Sequence, residues 1–160
     1  LFTQERIGLN GRRFRVVKFR TMVTDAEEHL EDVRHLNETR GPTFKSSVDP
    51  RTTQIGRVLR QTSIDELPQL INVLRGEMSL VGPRPLPLAD IEGFGENRYQ
   101  RRFSVRPGLT GLWQVSGRNS LPYERWMELD LMYVDNWSLR LDLEIMARTI
   151  PTILARKGAL

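Results

Sequence analysis

The sequence contains no cysteine, which excludes thiol nucleophiles, disulfide bonds and zinc sites built from cysteine. It also has no run of about 18 apolar residues, the length of a membrane-spanning helix. No segment resembles a signal peptide, and the chain starts at Leu1 rather than methionine, which suggests a piece of a longer protein. Apolar residues are spread over the whole chain, so low-complexity disorder is excluded as well.

Lysine is scarce. Only three of the 24 basic residues are lysines, which leaves 21 arginines, and 20 acidic residues reduce the net charge to +4. Arginine suits bidentate capture of phosphate or carboxylate groups, but a genome that favours arginine would produce the same bias. The composition alone therefore leaves an anionic partner open.

With 160 residues, 39% of them hydrophobic, the chain is long enough for one domain with one core. The pattern predicts an α+β fold: a mostly helical single domain with a short N-terminal β-hairpin, irregular loops rich in glycine and proline, and C-terminal amphipathic helices. Asn10-Gly11 is a strong tight-turn signal, and it predicts a hairpin within residues 1–22. The domain is expected to cover residues 1–160.

Helical signals follow the hairpin. Thr24 and Glu27 form a capping-box pattern that predicts an acidic surface helix to about Leu36, and residues 37–51 are typical of a loop. His29 and His35 are six positions apart, unlike helical metal ligands, and receive no role. Further helices are predicted from Thr52, over 67–74 with Gly76 as its end, from near Pro122, and from about Asp142.

The stretch Ser63-Ile64-Asp65-Glu66-Leu67-Pro68 is the most informative. Ser63 and Glu66 form a second capping-box pattern, which explains the two acids as the first turn of a helix. Pro68 complicates that explanation, because a helix capped at Ser63 would be bent by it. Alternatively the helix begins at Pro68, and Asp65-Glu66 lies in the turn before it. Both alternatives place the acidic pair at an irregular, accessible site.

A chemical role is the competing explanation. A carboxylate can attack phosphorus and form an acyl-phosphate, and it needs nearby positive charge to stay ionised. A second carboxylate could hold Mg²⁺, which would neutralise phosphate oxygens. Arg60 and Arg84 are candidate clamps for those oxygens, the latter within a stiff Pro-Arg-Pro corner. Lys18 and Arg20 are expected on one face of a strand, with Phe19 on the other; solvent exposure explains that basic face equally well.

Several longer motifs follow one another along the chain. They are Phe2-Thr3-Gln4-x-Arg6-x-Gly8, Lys18-Phe19-Arg20-Thr21-Met22, Asp49-x-Arg51, Leu59-Arg60-x-x-Ser63-x-Asp65-Glu66-x-Pro68-Gln69-Leu70, Asn72-Val73-Leu74-x-Gly76-Glu77-Met78-Ser79, Val81-Gly82-Pro83-Arg84-Pro85-Leu86, Arg106-Pro107-Gly108-x-Thr110-Gly111-x-Trp113-Gln114-Val115 and Gly117-Arg118. In these motifs and in their order the sequence resembles the bacterial sugar transferase family, the monotopic polyprenyl-phosphate phosphoglycosyl transferases.

The resemblance implies an enzyme that transfers a sugar-1-phosphate from a UDP-sugar to undecaprenyl phosphate and releases UMP, with Mg²⁺, in exopolysaccharide, capsule or O-antigen assembly. It implies Asp65 as the catalytic nucleophile that forms a phosphosugar intermediate, and Glu66 as a second catalytic residue and magnesium ligand. By the same resemblance Arg60, Arg84, Arg118 and Lys18 line the phosphate or nucleotide site.

The resemblance also implies a location at the cytoplasmic face of the bacterial inner membrane. The family's N-terminal membrane helix would precede Leu1 and is absent from this sequence. Amphipathic surfaces of the C-terminal helices, with Trp126, Met127, Trp137 and Leu139 among their residues, could rest on the bilayer, although core packing is commoner. Tyr133-x-x-Asn136-Trp137-Ser138-x-x-x-Asp142-Leu143 resembles members that use UDP-glucose or UDP-galactose.

Two other functions are weighed against this one. The arginines could serve a nucleic-acid or polyanion-binding module, but they are scattered among turns and balanced by acids, so no nucleic-acid partner is expected. A catalytically silent assembly scaffold is the second, which the intact Asp65-Glu66 pair disfavours. The sequence leaves a homo-oligomer open.

Overall fold

The N-terminal residues form the predicted hairpin. The computed structural model describes residues 1–38, 44, 46, 48–88, 90, 97–118 and 121–155. Strand β1 (Phe2–Ile7) pairs antiparallel with strand β2 (Arg13–Lys18). Asn10 and Gly11 in the connecting turn have φ angles of 54° and 74°, a left-handed conformation that asparagine and glycine tolerate best. The expected turn at Asn10-Gly11 is therefore confirmed.

Three further strands are short: β3 (Ser79–Val81), β4 (Leu86–Pro87) and β5 (Gly108–Thr110). Strand β4 joins β1 antiparallel, which gives a three-stranded sheet in the order β2-β1-β4, while β3 and β5 form a separate parallel pair. The backbones approach closely at the end of that pair, where a Cβ on Gly108 would lie 2.1 Å from the Gly82 nitrogen. Only glycine fits at position 108, because a side chain would overlap the Gly82 backbone.

Helices make up most of the remainder, and the predicted α+β class is confirmed. The α-helices whose bounds lie within the described residues are α1 (Leu30–Val33), α2 (Gln54–Gln61), α3 (Leu70–Leu74), α4 (Leu112–Val115), α5 (Tyr123–Asp135) and α6 (Leu139–Leu154). Segments of 3₁₀ helix cover Leu9–Gly11, Arg34–Leu36, Ile64–Gln69 and Asn97–Ser104. No helix in the described ranges is long and apolar enough to cross a membrane.

The core lies between the two C-terminal helices and the strands. One cluster joins Leu86, Tyr99, Trp113, Trp126, Met127 and Leu129, and a second joins Val81, Tyr133 and Ile145. The rings of Trp113 and Trp126 have centroids 4.7 Å apart. Trp126 and Met127, which were candidates for a membrane surface, are therefore core residues. Trp137 and Leu139 are exposed, at 60% and 68%.

The predicted helix from Thr24 to Leu36 is wrong over most of its length. Residues 24–29 form turns, and only Leu30–Val33 is α-helical before a 3₁₀ turn. Helices are stabilised mainly by packing of an apolar face, and here only Ala26 and Val33 are buried. Of the predicted loop over 37–51, residues 39–43, 45 and 47 lie outside the described part of the chain.

The amphipathic pattern over 67–74 appears as a 3₁₀ segment containing Pro68 followed by the short helix α3. Its apolar side chains face outward, with Leu67 51% and Leu74 89% exposed. Helix α2 also has an apolar side chain that faces outward, since Ile55 is 75% exposed. Seven large apolar residues between positions 55 and 74 are exposed: Ile55, Val58, Ile64, Leu67, Leu70, Ile71 and Leu74.

The two predicted C-terminal helices are confirmed, and the second begins three residues earlier than expected. Helix α5 begins directly after Pro122, as predicted. Helix α6 begins at Leu139 rather than near Asp142, because the Ser138 side chain caps it by accepting a hydrogen bond from the Leu141 amide. The helix continues through Pro151.

Asn72 joins helix α3 to the hairpin. Its side chain is fully buried; Oδ1 accepts a hydrogen bond from the Val17 amide at 3.0 Å, and Nδ2 donates to the Arg15 carbonyl at 2.8 Å and to Glu77 at 2.7 Å. The amide thus replaces a neighbouring strand along the free edge of β2. This contact fixes the position of the strand that ends at Lys18.

We expect Asn72→Ala to lower the free energy of unfolding by about 2–4 kcal/mol, because a buried amide and carbonyl of β2 lose their partners. Urea unfolding followed by tryptophan fluorescence measures the loss. Asn136→Ala removes an amide that makes only an exposed hydrogen bond, and it should cost about 0.5 kcal/mol or less. Equal losses in the two variants would contradict the role given to Asn72.

Candidate active site

Asp65 and Glu66 lie on a 3₁₀ turn directly after helix α2. The helix ends with Thr62 as its C-cap, and Ser63 follows with a φ of 56°, in the left-handed position that usually carries glycine. The Ser63 side chain makes no capping hydrogen bond, so the predicted capping box is wrong. The acidic pair lies before Pro68, inside a 3₁₀ segment rather than an α-helix, which matches neither alternative fully.

The Glu66 carboxylate is held by two cations from distant parts of the chain. Lys18 Nζ donates to Glu66 Oε1 at 3.0 Å, Arg84 Nη2 donates to the same oxygen at 2.7 Å, and Arg84 Nη1 donates to Oε2 at 3.3 Å. Burial alone would raise the pKa of Glu66, but Arg84 and Lys18 outweigh it and hold the pKa well below its ordinary value. Glu66 is therefore ionised at neutral pH.

Backbone contacts position these groups. The Phe19 amide donates to the Asp65 carbonyl at 2.9 Å, which places the end of β2, and hence Lys18, against the 3₁₀ turn. Arg84 lies in the turn between β3 and β4, with its guanidinium 5.8 Å from the centroid of the Trp113 ring. Two stiff prolines, Pro83 and Pro85, flank it, so the predicted rigid corner does present Arg84 to the acidic pair.

Asp65 is buried, with 8% of its surface exposed, yet its carboxylate makes no hydrogen bond or ion pair with the described residues. Burial raises the pKa of Asp65 above its ordinary value, and the charge of Glu66 adds to the rise, against the opposing effects of Lys18, Arg84 and Arg60. Two adjacent carboxyl groups thus have pKa values shifted in opposite directions. Such separation is common where one group reacts and the other is structural.

Arg60 and Arg118 complete the set of expected cations. Arg60 donates to the hydroxyls of Thr21 at 3.0 Å and Thr52 at 3.3 Å, and burial lowers its pKa although the Asp65 charge raises it. Arg118 donates through Nη2 to the Ser63 hydroxyl at 2.8 Å. Its Nη1 is buried and has no hydrogen-bond partner among the described residues.

Arg118 itself has a φ of 50°, so both ends of the Ser63–Arg118 contact occupy a strained left-handed conformation. Non-glycine residues in this conformation cluster at functional sites. By contrast, Arg20 does not reach Glu66. Strand β2 ends at Lys18, the expected alternation stops there, and the exposed Arg20 guanidinium lies 5.3 Å from the centroid of the Phe2 ring.

Sequence reasoning missed a buried ion pair behind the site. Arg102 Nη2 donates to Asp130 Oδ2 at 2.5 Å and to the Arg84 carbonyl at 2.7 Å, and both charged side chains are almost fully buried. Burial raises the pKa of Asp130 to about 6, against the effect of Arg102. The detectable signal was an acid at position 130 on the apolar face of α5, between Trp126 and Tyr133.

Glu66 is the magnesium ligand that the resemblance implies. Both Glu66 oxygens accept hydrogen bonds from cations, and in the described residues no group of three histidine, aspartate or glutamate side chains could hold a metal ion. The residues present do not fit a preformed magnesium site with Glu66 as a ligand. The magnesium requirement stays a prediction.

A cavity of about 310 Å³ opens beside Glu66. Ser63, Glu66 and Arg118 line one end, and aliphatic side chains of the 3₁₀ turn, the parallel strand pair and helix α6 line the rest. Its volume lies at the lower end of ligand-binding pockets, which hold about 300–1,000 Å³. The site therefore combines a charged cluster with an adjoining space for a ligand.

Two adjacent carboxyl groups, of which Glu66 is held by cations and lines a cavity, are typical of a group-transfer enzyme. Residues 1–156 match the family model described as bacterial sugar transferase, and the chain belongs to that family. The resemblance found in the sequence is thereby confirmed.

Individual relatives match almost the whole chain. It is 48% identical to a UDP-galactose-lipid carrier transferase of Erwinia amylovora, over 99% of this chain and 34% of the relative. It is 46% identical to the exopolysaccharide production protein ExoY of Rhizobium meliloti, over 99% of this chain and 71% of the relative. It is 44% identical to a UDP-glucose:undecaprenyl-phosphate glucose-1-phosphate transferase of Caulobacter vibrioides, over 99% of this chain and 58% of the relative. The chain thus spans about a third of the first relative.

We expect Glu66→Gln to lower the pKa of Asp65. The substitution removes the negative charge that favours protonated Asp65 and leaves Lys18 and Arg84 to favour the ionised form. A titration of the ¹³C carboxyl resonance measures the shift, with Asp65→Asn identifying the signal. In Asp25→Asn, which changes an exposed acid elsewhere, the Asp65 midpoint should stay unchanged; a higher midpoint in Glu66→Gln would contradict the coupling.

Proposed function

We propose that this protein transfers a hexose-1-phosphate from a UDP-hexose to undecaprenyl phosphate, releasing UMP, as a step in exopolysaccharide, capsule or O-antigen assembly. The names of its relatives support the donor and acceptor classes. One observation carries the chemistry: in the described part of the chain the Asp65 carboxylate has no hydrogen-bond or ion-pair partner, although the charges of Lys18, Arg84 and Arg60 act on it. Glucose and galactose are the candidate hexoses.

In the first step an Asp65 oxygen attacks the phosphorus that bears the sugar. The bond from that phosphorus to the bridging oxygen of the diphosphate breaks, UMP leaves with the electron pair, and the sugar phosphate becomes an acyl-phosphate on Asp65. The free carboxylate supports this role, since an oxygen already held by a cation would be a weaker nucleophile. Glu66, which is held in that way, is the poorer candidate.

In the second step a phosphate oxygen of undecaprenyl phosphate attacks the same phosphorus. The acyl-phosphate bond breaks, Asp65 recovers its carboxylate, and the product is a lipid-linked diphosphate sugar. Both steps pass through one phosphorus position, so one set of cations can serve both.

The charge of the site suits this chemistry. The four expected cations (Lys18, Arg60, Arg84 and Arg118) outnumber the two carboxylates, and Arg6 adds a further positive charge near Glu66. The diphosphate of a nucleotide sugar carries two negative charges, so the bound donor would offset much of the excess positive charge. Preorganised positive charge of this kind stabilises developing charge on phosphate oxygens.

We place the protein at the cytoplasmic face of the inner membrane. The support is the run of seven exposed apolar residues between positions 55 and 74, because soluble surfaces seldom concentrate such residues. The run includes Leu67, directly after the acidic pair. Resting these residues in the inner leaflet would bring Asp65 close to a lipid-borne phosphate.

Incubation with a UDP-hexose and no acceptor should increase the intact mass of the protein by one hexose phosphate and release an equivalent of UMP. In Asp65→Asn the adduct should be absent and UMP release should fall by about 10³-fold or more. Asp25→Asn, an exposed acid changed in the same way, should form the adduct normally. The same measurement with a chelator examines the magnesium prediction.

An adduct that persists in Asp65→Asn would contradict the assignment of the nucleophile. If the folded protein forms no adduct with any UDP-hexose and releases no UMP, the transferase function itself is contradicted, and a silent scaffold or a polyanion-binding module becomes the better account. A panel of UDP-glucose, UDP-galactose and their N-acetylated forms identifies the donor.

The membrane placement is tested by flotation with vesicles of phosphatidylethanolamine and phosphatidylglycerol. Ile55→Glu/Leu74→Glu should lower the bound fraction by about tenfold or more, because two exposed apolar side chains that become buried in the bilayer contribute roughly 1.5–3 kcal/mol each. Leu139→Glu/Leu143→Glu makes the same charge change on exposed residues of α6 and should retain binding. Loss in the α6 variant alone would move the membrane surface to that helix.

A further inference from the structure

The cavity beside the acidic pair differs in chemistry from the charged cluster that it adjoins. Half of its lining residues are aliphatic or methionine, and none is aromatic. The aliphatic wall comes from four places: Leu67 on the 3₁₀ turn, Leu80 and Leu109 on the paired strands, Val115 on helix α4, and Met146, Ile150 and Ile153 on helix α6. One end is thus ionic and the remainder apolar.

Most polar groups in the wall are already satisfied within the protein. The hydroxyls of Thr110 and Thr149 hydrogen-bond to each other at 2.7 Å, that of Thr152 donates to the Arg148 carbonyl, and Gln114 Nε2 donates to the Leu109 carbonyl at 3.1 Å. These groups offer little to a polar ligand. The apolar part of the cavity therefore favours a hydrocarbon occupant.

The ionic end has a free donor for an anion. Arg118 Nη1 is buried without a hydrogen-bond partner among the described residues, and Arg118 lines the cavity together with Glu66 and Ser63. A buried, unpaired guanidinium nitrogen is costly unless a ligand satisfies it. A phosphate oxygen would do so, and Arg118 is close enough to Asp65 for their charges to interact.

We propose that this cavity binds the acceptor lipid, with its phosphate at Arg118 and its first isoprenoid units against Leu67, Met146, Ile150 and Ile153. This inference rests on the proposed function and assigns to the acceptor a place separate from that of the nucleotide. Ile150 and Leu67 are 64% and 51% exposed, so the apolar wall continues to the surface and a long chain can leave the cavity towards the membrane.

A nucleoside is the competing occupant. Gln114 Oε1 is buried without a hydrogen-bond partner among the described residues and could accept from the N–H of uracil. The absence of an aromatic side chain from the lining disfavours it, since stacking on aromatic rings is a common way to hold a base. Measuring the two half-reactions separately distinguishes a nucleoside from the acceptor lipid.

Ile150→Trp narrows the cavity at an exposed position. We expect adduct formation from UDP-hexose to stay within about twofold of the unsubstituted protein. Transfer from the isolated adduct to undecaprenyl phosphate should fall by about tenfold or more, because the acceptor loses the space for its chain. Leu143→Trp places the same side chain at an exposed position two turns earlier on α6, outside the cavity lining, and should leave both half-reactions within about twofold.

Normal adduct formation shows that Ile150→Trp is folded. Unchanged transfer in that variant would overturn the acceptor site while leaving the transferase function intact. Slowed adduct formation with normal transfer would overturn it in favour of a nucleoside site. An unsubstituted protein that forms no adduct would contradict the proposed function itself.

A second measurement uses farnesyl phosphate that carries a diazirine on its second isoprenoid unit. Irradiation should label cavity residues such as Met146 or Ile150, and excess undecaprenyl phosphate should prevent the labelling whereas UDP-hexose should not. Labelling confined to residues outside the cavity, or prevented by UDP-hexose, would overturn the proposal.

Discussion

The ion cluster centred on Glu66 is the interaction on which the site depends. An isolated buried carboxylate would be strongly destabilising, and Lys18 and Arg84 compensate it from two separate parts of the fold, the end of β2 and the turn between β3 and β4. Glu66 therefore ties the hairpin, the 3₁₀ turn and the Pro-Arg-Pro corner together. Without its charge, two partly buried cations would lose this partner, and the charged surroundings of Asp65 would change.

Local chemistry made part of this structure predictable. The hairpin follows from the conformational preferences of Asn10 and Gly11, and the irregular backbone around the acidic pair follows from Pro68. The predicted capping box of Ser63 and Glu66 is wrong, because the capping-box pattern takes only neighbouring residues into account. Glu66 pairs instead with residues 48 and 18 positions away, and buried ionic contacts outweigh a single local hydrogen bond. Sequence spacing carries no signal for such contacts. The buried Arg102–Asp130 pair is another contact between distant positions, and in the sequence only the acid on the apolar face of α5 pointed to it.

The apolar periodicity over residues 67–74 correctly predicted an amphipathic segment. Periodicity does not determine whether the apolar face contacts the core or the surroundings of the protein. Leu67, Leu70, Ile71 and Leu74 have helical spacing, and in the fold they point away from the core. The core is filled instead by helix α5 and the tryptophan pair Trp113–Trp126. The apolar face of the segment over 67–74 is thus left free next to the acidic pair, a position that composition and periodicity alone could not reveal.

Asp65 and Glu66 have the same chemistry, and their difference arises from where the cations lie. Arg84 and Lys18 hydrogen-bond to Glu66 and only act at longer range on Asp65. Among the described residues, therefore, one carboxylate is held by cations and the other has no hydrogen-bond partner. In the proposed reaction the incoming phosphates compete with Glu66 for those cations. Glu66 then keeps the positive charge assembled before the substrate binds, and little reorganisation is needed when the phosphorus is attacked. The fixed carboxylate holds the cations in position, and the free carboxylate reacts.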